Sequence, residues 1–369
     1  MKERLEKATE EEEEEEAAMI PGLPDEVAEL CLLHLPFPYQ TLARSVSAAW
    51  NRVLSSASFL RAKAAASPSL AAPYVFVFAF DRSSLRLQWQ ALDPGSKRWF
   101  VLPPMPVAGD GEVSPLCPPA FACAAVADRG ELYVLGGMRA ADQSPLRTLF
   151  SYRAASNSWA PAAPMPTPRS FFAAGAIGGK IYAAGGGDGE AGEVECYDPT
   201  ADSWRPAAGM RRGMARYDAA VVGRRMYVTE GWAWPFDASP RGGVYDADRD
   251  AWEEMAVGLR EGWTGASAVA GGRLYVVAEY GDSKVKRYDE GRDTWKSVSG
   301  GGVPPEVGRP FAVVGDGDGR IYVAGSGLDV AVGKVEKGEG EEERVEWEVV
   351  KGPPAFADLA PCNAQVLYV

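Results

Sequence analysis

From residue 73 to the carboxyl terminus, apolar residues come in short runs separated by glycine and proline, a pattern that predicts β-strands. One run, in which an aliphatic residue is followed by tyrosine, occurs five times, and a run rich in small residues precedes each copy. The tyrosine runs are residues 132–135, 181–184, 226–229, 274–277 and 321–324, and the preceding runs are 121–127, 172–177, 219–222, 266–269 and 311–314. This region is predicted to be mainly β.

A second repeat links the third strand of each unit to the fourth. A tyrosine or leucine is followed seven residues later by tryptophan five times, and Trp347 is a sixth, looser copy. The pairs are Leu92 and Trp99, Tyr152 and Trp159, Tyr197 and Trp204, Tyr245 and Trp252, and Tyr288 and Trp295. Successive tryptophans are 43 to 60 residues apart, which is too short for a domain but sufficient for four strands. The spacing predicts a radial array of sheets with each tryptophan buried between neighbours.

Two of the repeated strands run directly into paired glycines, at Gly136-Gly137 and Gly185-Gly186. Such pairs indicate a positive φ or a close backbone approach at the strand end. Together with the strands, the Tyr-Asp steps and the tryptophans, they resemble the kelch motif, in five registered copies over about 290 residues. The prediction is a six-bladed kelch-type β-propeller over residues 73–369. Its first unit, residues 74–106, has only three strands, so the carboxyl-terminal strand at residues 364–369 is expected to close the ring.

Residues 19–66 have a different texture, with apolar residues at helical spacing. Pro24 and Asp25 suit the first turn of a helix. The apolar positions are Val27, Leu30, Leu33, Leu42, Val46, Trp50, Val53 and Leu54, which predict two or three short helices. The order of Leu23, Pro24 and the later leucines and tryptophan resembles an F-box over residues 19 to about 62. Ala48 and Ala49 depart from it, because the family often has a basic residue just before the tryptophan.

The chain of 369 residues has a formal net charge of -13, which disfavours nucleic-acid binding. Residues 1–18 contribute -6 of this charge and are predicted to be a disordered acidic tail, with an interaction arm as the alternative. The chain has no apolar stretch of membrane-spanning length. Five cysteines without a C-x-x-C pair predict a reducing compartment, so we expect the protein in the cytoplasm, the nucleus or both.

The sequence offers little for catalysis. His34 is the only histidine, which argues against histidine-based relays and against zinc, copper or iron sites. The glycine-rich residues 185–189 lack the Lys-Ser/Thr of a phosphate loop. Carboxylate pairs, such as Asp246 with Asp248, fall in predicted turns, where aspartate is a common turn former. We therefore predict a protein with no cofactor, no metal and no enzymatic activity.

Target binding is predicted on the propeller face that carries the loops between strands two and three and between successive units. Arginines in these loops could clamp carboxylates or could satisfy loop carbonyls and acidic neighbours, and both readings stand. Aromatic residues around one loop form the preferred docking patch, unless they fold over the neighbouring blade. The candidates are Arg169, Arg212, Arg216, Trp232, Trp234, Phe236, Arg241, Arg260, Trp263, Tyr280 and Arg309.

The combination resembles a plant-type F-box/kelch-repeat protein. The resemblance implies a substrate receptor of a Skp/cullin/F-box ubiquitin ligase, in which the helices bind a Skp-type adaptor and the propeller binds a target for degradation. Leu23, Pro24, Val27, Leu30 and Leu33 match the part of the motif that contacts the adaptor. Enzymes or regulators of plant metabolism or signalling are the implied targets. The alternatives are a kelch scaffold or a kelch-fold enzyme unrelated to ubiquitin.

Overall fold

A computed structural model describes most of the chain outside the first 18 residues. The described residues are 19–35, 37–56, 58–59, 61–63, 72–84, 87–106, 120–139, 142–186, 192–211, 218–230, 241–278, 281–337 and 342–369. The predicted acidic tail lies outside them. The chain divides into two compact units, with the main boundary between Ala72 and Pro73.

The amino-terminal unit is helical. Three helices have described bounds, namely α1 (Asp25–Leu33), α2 (Tyr39–Ala43) and α3 (Ala48–Leu54). Helix α1 begins after Pro24 with two acidic residues in its first turn, where they oppose the helix dipole. The Ser47 side chain caps α3 by accepting a hydrogen bond from the Trp50 amide at 3.1 Å. The core of the unit contains Leu32, Ala43, Leu54 and Phe59.

The second unit is built from antiparallel four-stranded sheets, three of which follow the chain without interruption. The first comprises β4 (Phe121–Val126), β5 (Glu131–Gly136), β6 (Leu149–Arg153) and β7 (Ser158–Pro161). The second comprises β8 (Ala173–Ile177), β9 (Lys180–Ala184), β10 (Gly192–Asp198) and β11 (Ser203–Met210). The third comprises β12 (Asp218–Val222), β13 (Arg225–Thr229), β14 (Gly242–Asp246) and β15 (Ala251–Glu254).

The sheet at the start of this unit uses both ends of the propeller sequence. Strands β1 (Pro73–Asp81), β2 (Leu87–Asp93) and β3 (Arg98–Val101) are joined by the carboxyl-terminal strand β24 (Leu359–Tyr368), in the order β24-β1-β2-β3. Strand β24 pairs with β1 along its whole length, from Pro73 opposite Tyr368 to Asp81 opposite Leu359. The predicted pairing of the last strand with the first unit is confirmed, and the strand starts five residues earlier than the sequence suggested.

The remaining strands form one sheet of eight rather than two separate sheets. The first meander is β16 (Gly265–Ala270), β17 (Arg273–Ala278), β18 (Lys284–Asp289) and β19 (Thr294–Gly302). The second is β20 (Gly308–Gly315), β21 (Arg320–Ser326), β22 (Val330–Lys337) and β23 (Glu343–Val350). A parallel bridge between Ser299 and Arg344 joins the two outer strands. The prediction of six separate sheets is therefore met only in part, by four sheets of four strands and one of eight.

The first strands of the meanders, together with β24, surround a central channel. Along the ring, β4 contacts β8, then β12, β16, β20 and β24, and β24 contacts β4 again. The channel has a volume of about 550 Å³, and alanine and glycine make up much of its wall. Three short 3₁₀ helices (Ala127–Arg129, Ala154–Ser156 and Pro354–Phe356) and helix α4 (Val257–Gly262) lie in the connections. The sequence analysis did not predict α4.

The paired glycines are required where the chain is crowded. Gly136 and Gly186 both have positive φ, of 56° and 70°. A Cβ atom at Gly136 would collide with the Arg169 carbonyl, and one at Gly186 would collide with the Ser170 carbonyl. Both predicted reasons for the glycines, left-handed backbone and close approach, are confirmed at these two positions.

In the Tyr-to-Trp repeat, the tyrosine, the tryptophan and an aspartate between them form a set of hydrogen bonds that reaches the preceding part of the chain. We call this set of bonds the clamp. The Tyr245 hydroxyl donates to Asp250 at 2.7 Å, and the Asp250 carboxylate accepts from the Ala208 amide at 2.9 Å. The Trp252 Nε1 donates to the Ala208 carbonyl at 2.7 Å. The same bonds recur for Tyr197, Asp202, Trp204 and Ala163, and for Tyr288, Asp293, Trp295 and Leu259. The tryptophans are half-buried rather than fully buried, because each edge reaches the preceding sheet near the surface.

We expect Asp250→Ala to lower the free energy of unfolding by about 2–3 kcal/mol, because Tyr245 and the Ala208 amide both lose a charged acceptor. Urea denaturation of the purified protein measures the change. Asp248→Ala is the matched control, since Asp248 is exposed and its carboxylate, among the described residues, pairs with the exposed Arg224. It should cost less than about 1 kcal/mol. Equal losses in the two variants would show that the clamp does not hold the sheets together.

Candidate functional site

Helix α1 presents an exposed apolar face to solvent. Leu23 is 38% exposed, Val27 42% and Leu30 55%. Val27 and Leu30, three residues apart, lie on one side of the helix, and Leu23 lies just before its first turn, whereas Ala28 and Leu32 are buried. We call Leu23, Val27 and Leu30 the α1 apolar face. Apolar side chains clustered outside a core mark an interaction surface.

The other residues predicted to contact an adaptor lie in two environments. Pro24 is exposed next to the α1 apolar face, whereas Leu33 is half-buried and packs against the helical core. Leu42 and Val46, read from the sequence as part of a core-facing stripe, are 56% and 63% exposed. The helical unit therefore leaves more apolar surface uncovered than its sequence pattern suggested.

In the propeller, the structure buries Arg169, one of the arginines predicted from the sequence to bind the target. Its guanidinium is fully buried and lies 3.0 Å from the Glu195 carboxylate, so it offers no surface to a partner. The same group donates to the carbonyls of Gly185, at 2.5 Å, and Glu193, at 3.0 Å. The alternative reading, in which the arginine satisfies loop carbonyls and an acidic neighbour, describes Arg169.

Two further arginines that were predicted to bind the target have carboxylate partners. Arg241 forms a two-pronged pair with Glu230, with bonds of 2.9 and 2.5 Å. Arg260, in α4, lies 3.6 Å from Glu254. Arg309 differs, because it is exposed and has no carboxylate within 4 Å in the part of the chain that the structure describes. Its guanidinium donates to the Ser283 hydroxyl at 2.7 Å and lies 5.5 Å from the centre of the Phe311 ring.

Trp263 is a core residue and not part of an exposed patch. It is 1% exposed, and its Nε1 donates to the Asp218 carboxylate at 2.9 Å. Burial raises the pKa of Asp218, although hydrogen bonds from Trp263 and from the Ala219 amide oppose this effect. The prediction that Trp263 contributes to docking is wrong, because α4 turns its ring into the protein. Arg212, Arg216, Trp232, Trp234, Phe236 and Tyr280 lie outside the described residues.

One exposed aromatic residue among the described residues of the propeller was not predicted from the sequence. Phe171, in the connection between β7 and β8, is 45% exposed and has a φ of 51°. The signal for it was weak, because Phe171 only precedes the strand that was predicted to start at Phe172. In the structure only Phe172 is buried, beside the channel.

Comparison with known proteins assigns both units. The F-box domain model matches residues 20–62, and the Kelch motif model matches residues 119–166 and 168–211. The chain is 45% identical to F-box protein AFR of Arabidopsis thaliana, over 99% of this chain and 96% of the relative. It is 40% identical to a second Arabidopsis protein, an F-box/kelch-repeat protein, over 95% of this chain and 87% of that one. The chain belongs to the F-box/kelch-repeat family.

The family models coincide with the structural units. The F-box match contains helices α1 to α3 and the α1 apolar face. Each of the two Kelch matches contains one four-stranded sheet, β4 to β7 or β8 to β11. F-box/kelch-repeat proteins are adaptor components of larger assemblies. The resemblance inferred from the sequence is thereby confirmed.

The described residues of this F-box/kelch-repeat protein contain no group of three or more histidine, cysteine, aspartate or glutamate side chains placed to hold a metal ion. His34 is exposed at the end of α1. Burial raises the pKa of the Cys123 thiol, which disfavours the reactive thiolate. Within the described ranges, no helix has the length and hydropathy needed to cross a membrane.

Proposed function

We propose that this protein is the substrate receptor of a Skp/cullin/F-box ubiquitin ligase. The helical unit binds a Skp-type adaptor, through which a cullin is recruited, and the propeller binds the target protein. The observation that carries the proposal is the α1 apolar face, three exposed aliphatic side chains within the F-box match. Leu23, Val27, Leu30 and the adjacent Pro24 form the contact, while Leu33 supports it from the core.

The proposed mechanism is positional. A target held by the propeller and a ubiquitin-conjugating enzyme recruited by the cullin share one assembly, so their effective concentration rises without chemistry by this chain. No bond need form at any of its residues. Enzymes and regulators of plant metabolism or signalling, present in the cytoplasm or the nucleus, are the first targets to test.

We infer that the propeller has six blades, with the eight-stranded sheet counted as two. Its two meanders each have four antiparallel strands, and a single parallel bridge joins them. Six innermost strands, β24 among them, surround the channel. The proposed target face is the one that carries the connections between blades, with Phe171 in one connection and Arg309 near the start of strand β20.

Adaptor binding tests the proposal directly. Val27→Asp and Leu30→Asp together place two carboxylates on the α1 apolar face, and both side chains are exposed, so the fold should persist. We expect affinity for a purified Skp-type adaptor, measured by calorimetry, to fall by at least about 100-fold, since apolar hot spots are each worth 2 kcal/mol or more. Retained helical circular dichroism confirms folding.

Val101→Asp is the matched control, because Val101 is 64% exposed on strand β3 of the propeller. It should bind the adaptor like the wild type. Failure of the wild-type protein to bind any Skp-type adaptor would contradict the proposal and favour a scaffold unrelated to ubiquitin.

A further inference from the structure

Phe171 combines exposure with an unfavourable backbone conformation. Its φ of 51° lies in the left-handed region, which costs energy for any residue with a side chain, and 45% of the residue is open to solvent. An exposed phenylalanine gains little from packing, so the stabilisation from its ring does not offset the energetic cost of the left-handed backbone. Residues held in this way are concentrated at functional sites.

The backbone around Phe171 is fixed by neighbouring sheets. The Phe171 amide donates to the Ala120 carbonyl at 2.9 Å, and the Ser170 amide donates to the Gly186 carbonyl at 3.1 Å. The Arg169 amide donates to the Leu146 carbonyl at 2.9 Å. Its buried side chain donates to the Glu195 carboxylate and to the Gly185 carbonyl, which fixes the same loop. The aromatic ring is therefore presented by a rigid loop, which lowers the entropy cost of binding a partner.

The left-handed conformation recurs in the neighbouring sheet, but the aromatic ring does not. Ala120, whose φ is 74°, lies as far before the strand partner of Tyr133 as Phe171 lies before the strand partner of Tyr182. A methyl group is sufficient at that position. A large exposed ring at Phe171 is therefore a feature that the fold does not require.

Arg309 supplies a charge on the opposite side of the channel. Strand β20, which contains Arg309, is three steps from β8 in the ring of channel strands, so the two face each other. Phe121, Phe172 and Phe311 line the channel. The exposed guanidinium stacks on Phe311 and lacks a carboxylate partner among the described side chains. It is a preformed site for an acidic group.

We propose that the target segment is an extended acidic peptide with a large apolar side chain, which crosses the channel mouth. The apolar side chain packs on Phe171, and a glutamate or aspartate of the same segment pairs with Arg309. The three channel phenylalanines form the apolar floor between the two contacts. This inference rests on the proposed receptor function and specifies the class of target that it recognises.

A peptide array with the full-length protein tests the proposal. The probe is a set of immobilised 12-residue peptides that carry glutamate or lysine at one position and leucine or serine at another, at varied spacing. The wild type should prefer the glutamate and leucine peptides by about tenfold or more over those with lysine and serine. Arg309→Glu should invert the charge preference toward lysine, which a merely structural role of Arg309 would not produce.

Phe171→Gly separates binding from stability. Glycine relieves the left-handed strain, so the melting temperature should stay equal or rise, while the preference for leucine over serine is lost. Val101→Ser and Arg344→Glu are the matched controls, since both residues are exposed on outer strands and should leave the array pattern unchanged. A wild type that binds all peptides alike, or an Arg309→Glu variant with the wild-type preference, would overturn the proposal.

Adaptor binding distinguishes this inference from the proposed function. Phe171→Gly and Arg309→Glu should bind the Skp-type adaptor like the wild type, because both changes lie in the propeller. Normal adaptor binding without peptide selectivity would refute the acidic peptide and leave the receptor function intact. Selectivity without adaptor binding would support the peptide site and refute the ubiquitin-ligase role.

Discussion

Removal of residues 364–369 is expected to unfold the propeller or to lower its free energy of unfolding by more than about 5 kcal/mol, which is comparable with the whole stability of many domains. The deletion takes away Leu367, which is fully buried, and Val366, which is 5% exposed. It also removes the partner of β1 from Pro73 to Val77. Each lost buried aliphatic side chain alone costs about 2–5 kcal/mol.

Thermal denaturation monitored by circular dichroism measures the effect of this truncation. A synthetic peptide of residues 359–369, added in excess to the truncated protein, should restore part of the lost stability by mass action, because it binds only the folded ring. A scrambled peptide is the control. If the truncated protein melts at the wild-type temperature, β24 does not seal the ring.

Replacement of the buried arginine, Arg169→Met, is expected to lower the free energy of unfolding by about 3–5 kcal/mol. Methionine preserves most of the volume but leaves the Glu195 carboxylate, which is 7% exposed, without its cation. The Gly185 and Glu193 carbonyls lose their donor as well. Urea denaturation of the variant and the wild type gives the difference.

Arg241→Met is the matched control for Arg169. Arg241 also pairs with a glutamate, but its side chain is 52% exposed, so water replaces the lost partner. A change of less than about 1 kcal/mol is expected. If Arg169→Met proved as mild as Arg241→Met, the guanidinium would not be a structural group and would return to the candidates for target binding.

The repeating strands, the paired glycines and the closing strand were predictable because they depend on local patterns. Each of these features can be recognised from a few consecutive residues, as apolar runs, paired glycines or a fixed Tyr-to-Trp spacing. Gly136 and Gly186 show this directly, since their positive φ and crowding were both expected. The α1 apolar face was found through the F-box resemblance, which names surface positions that periodicity alone assigns to a core.

The errors came from contacts between residues far apart in the chain. Trp263 was predicted to be exposed, but it donates a hydrogen bond to Asp218, which is 45 residues away in the chain. It follows a short helix that the sequence pattern did not predict. The eight-stranded sheet depends on Ser299 meeting Arg344 at the ends of two long outer strands. The sequence of a single repeat does not indicate how far apart the outer strands of neighbouring sheets lie. Phe171 was missed for a similar reason, because its exposure is decided by the loops around it.

The position of β24 at the end of the chain has a consequence for synthesis. The ribosome completes β1 near residue 81 but does not make its partner until residues 359–368, so the edge of β1 stays unpaired for most of translation. Val75, Val77 and Phe78, which are fully buried in the finished ring, are uncovered on the nascent polypeptide during that interval. Such unpaired edges recruit other chains, so we expect the nascent polypeptide to be prone to mispairing until residues 359–368 have been made.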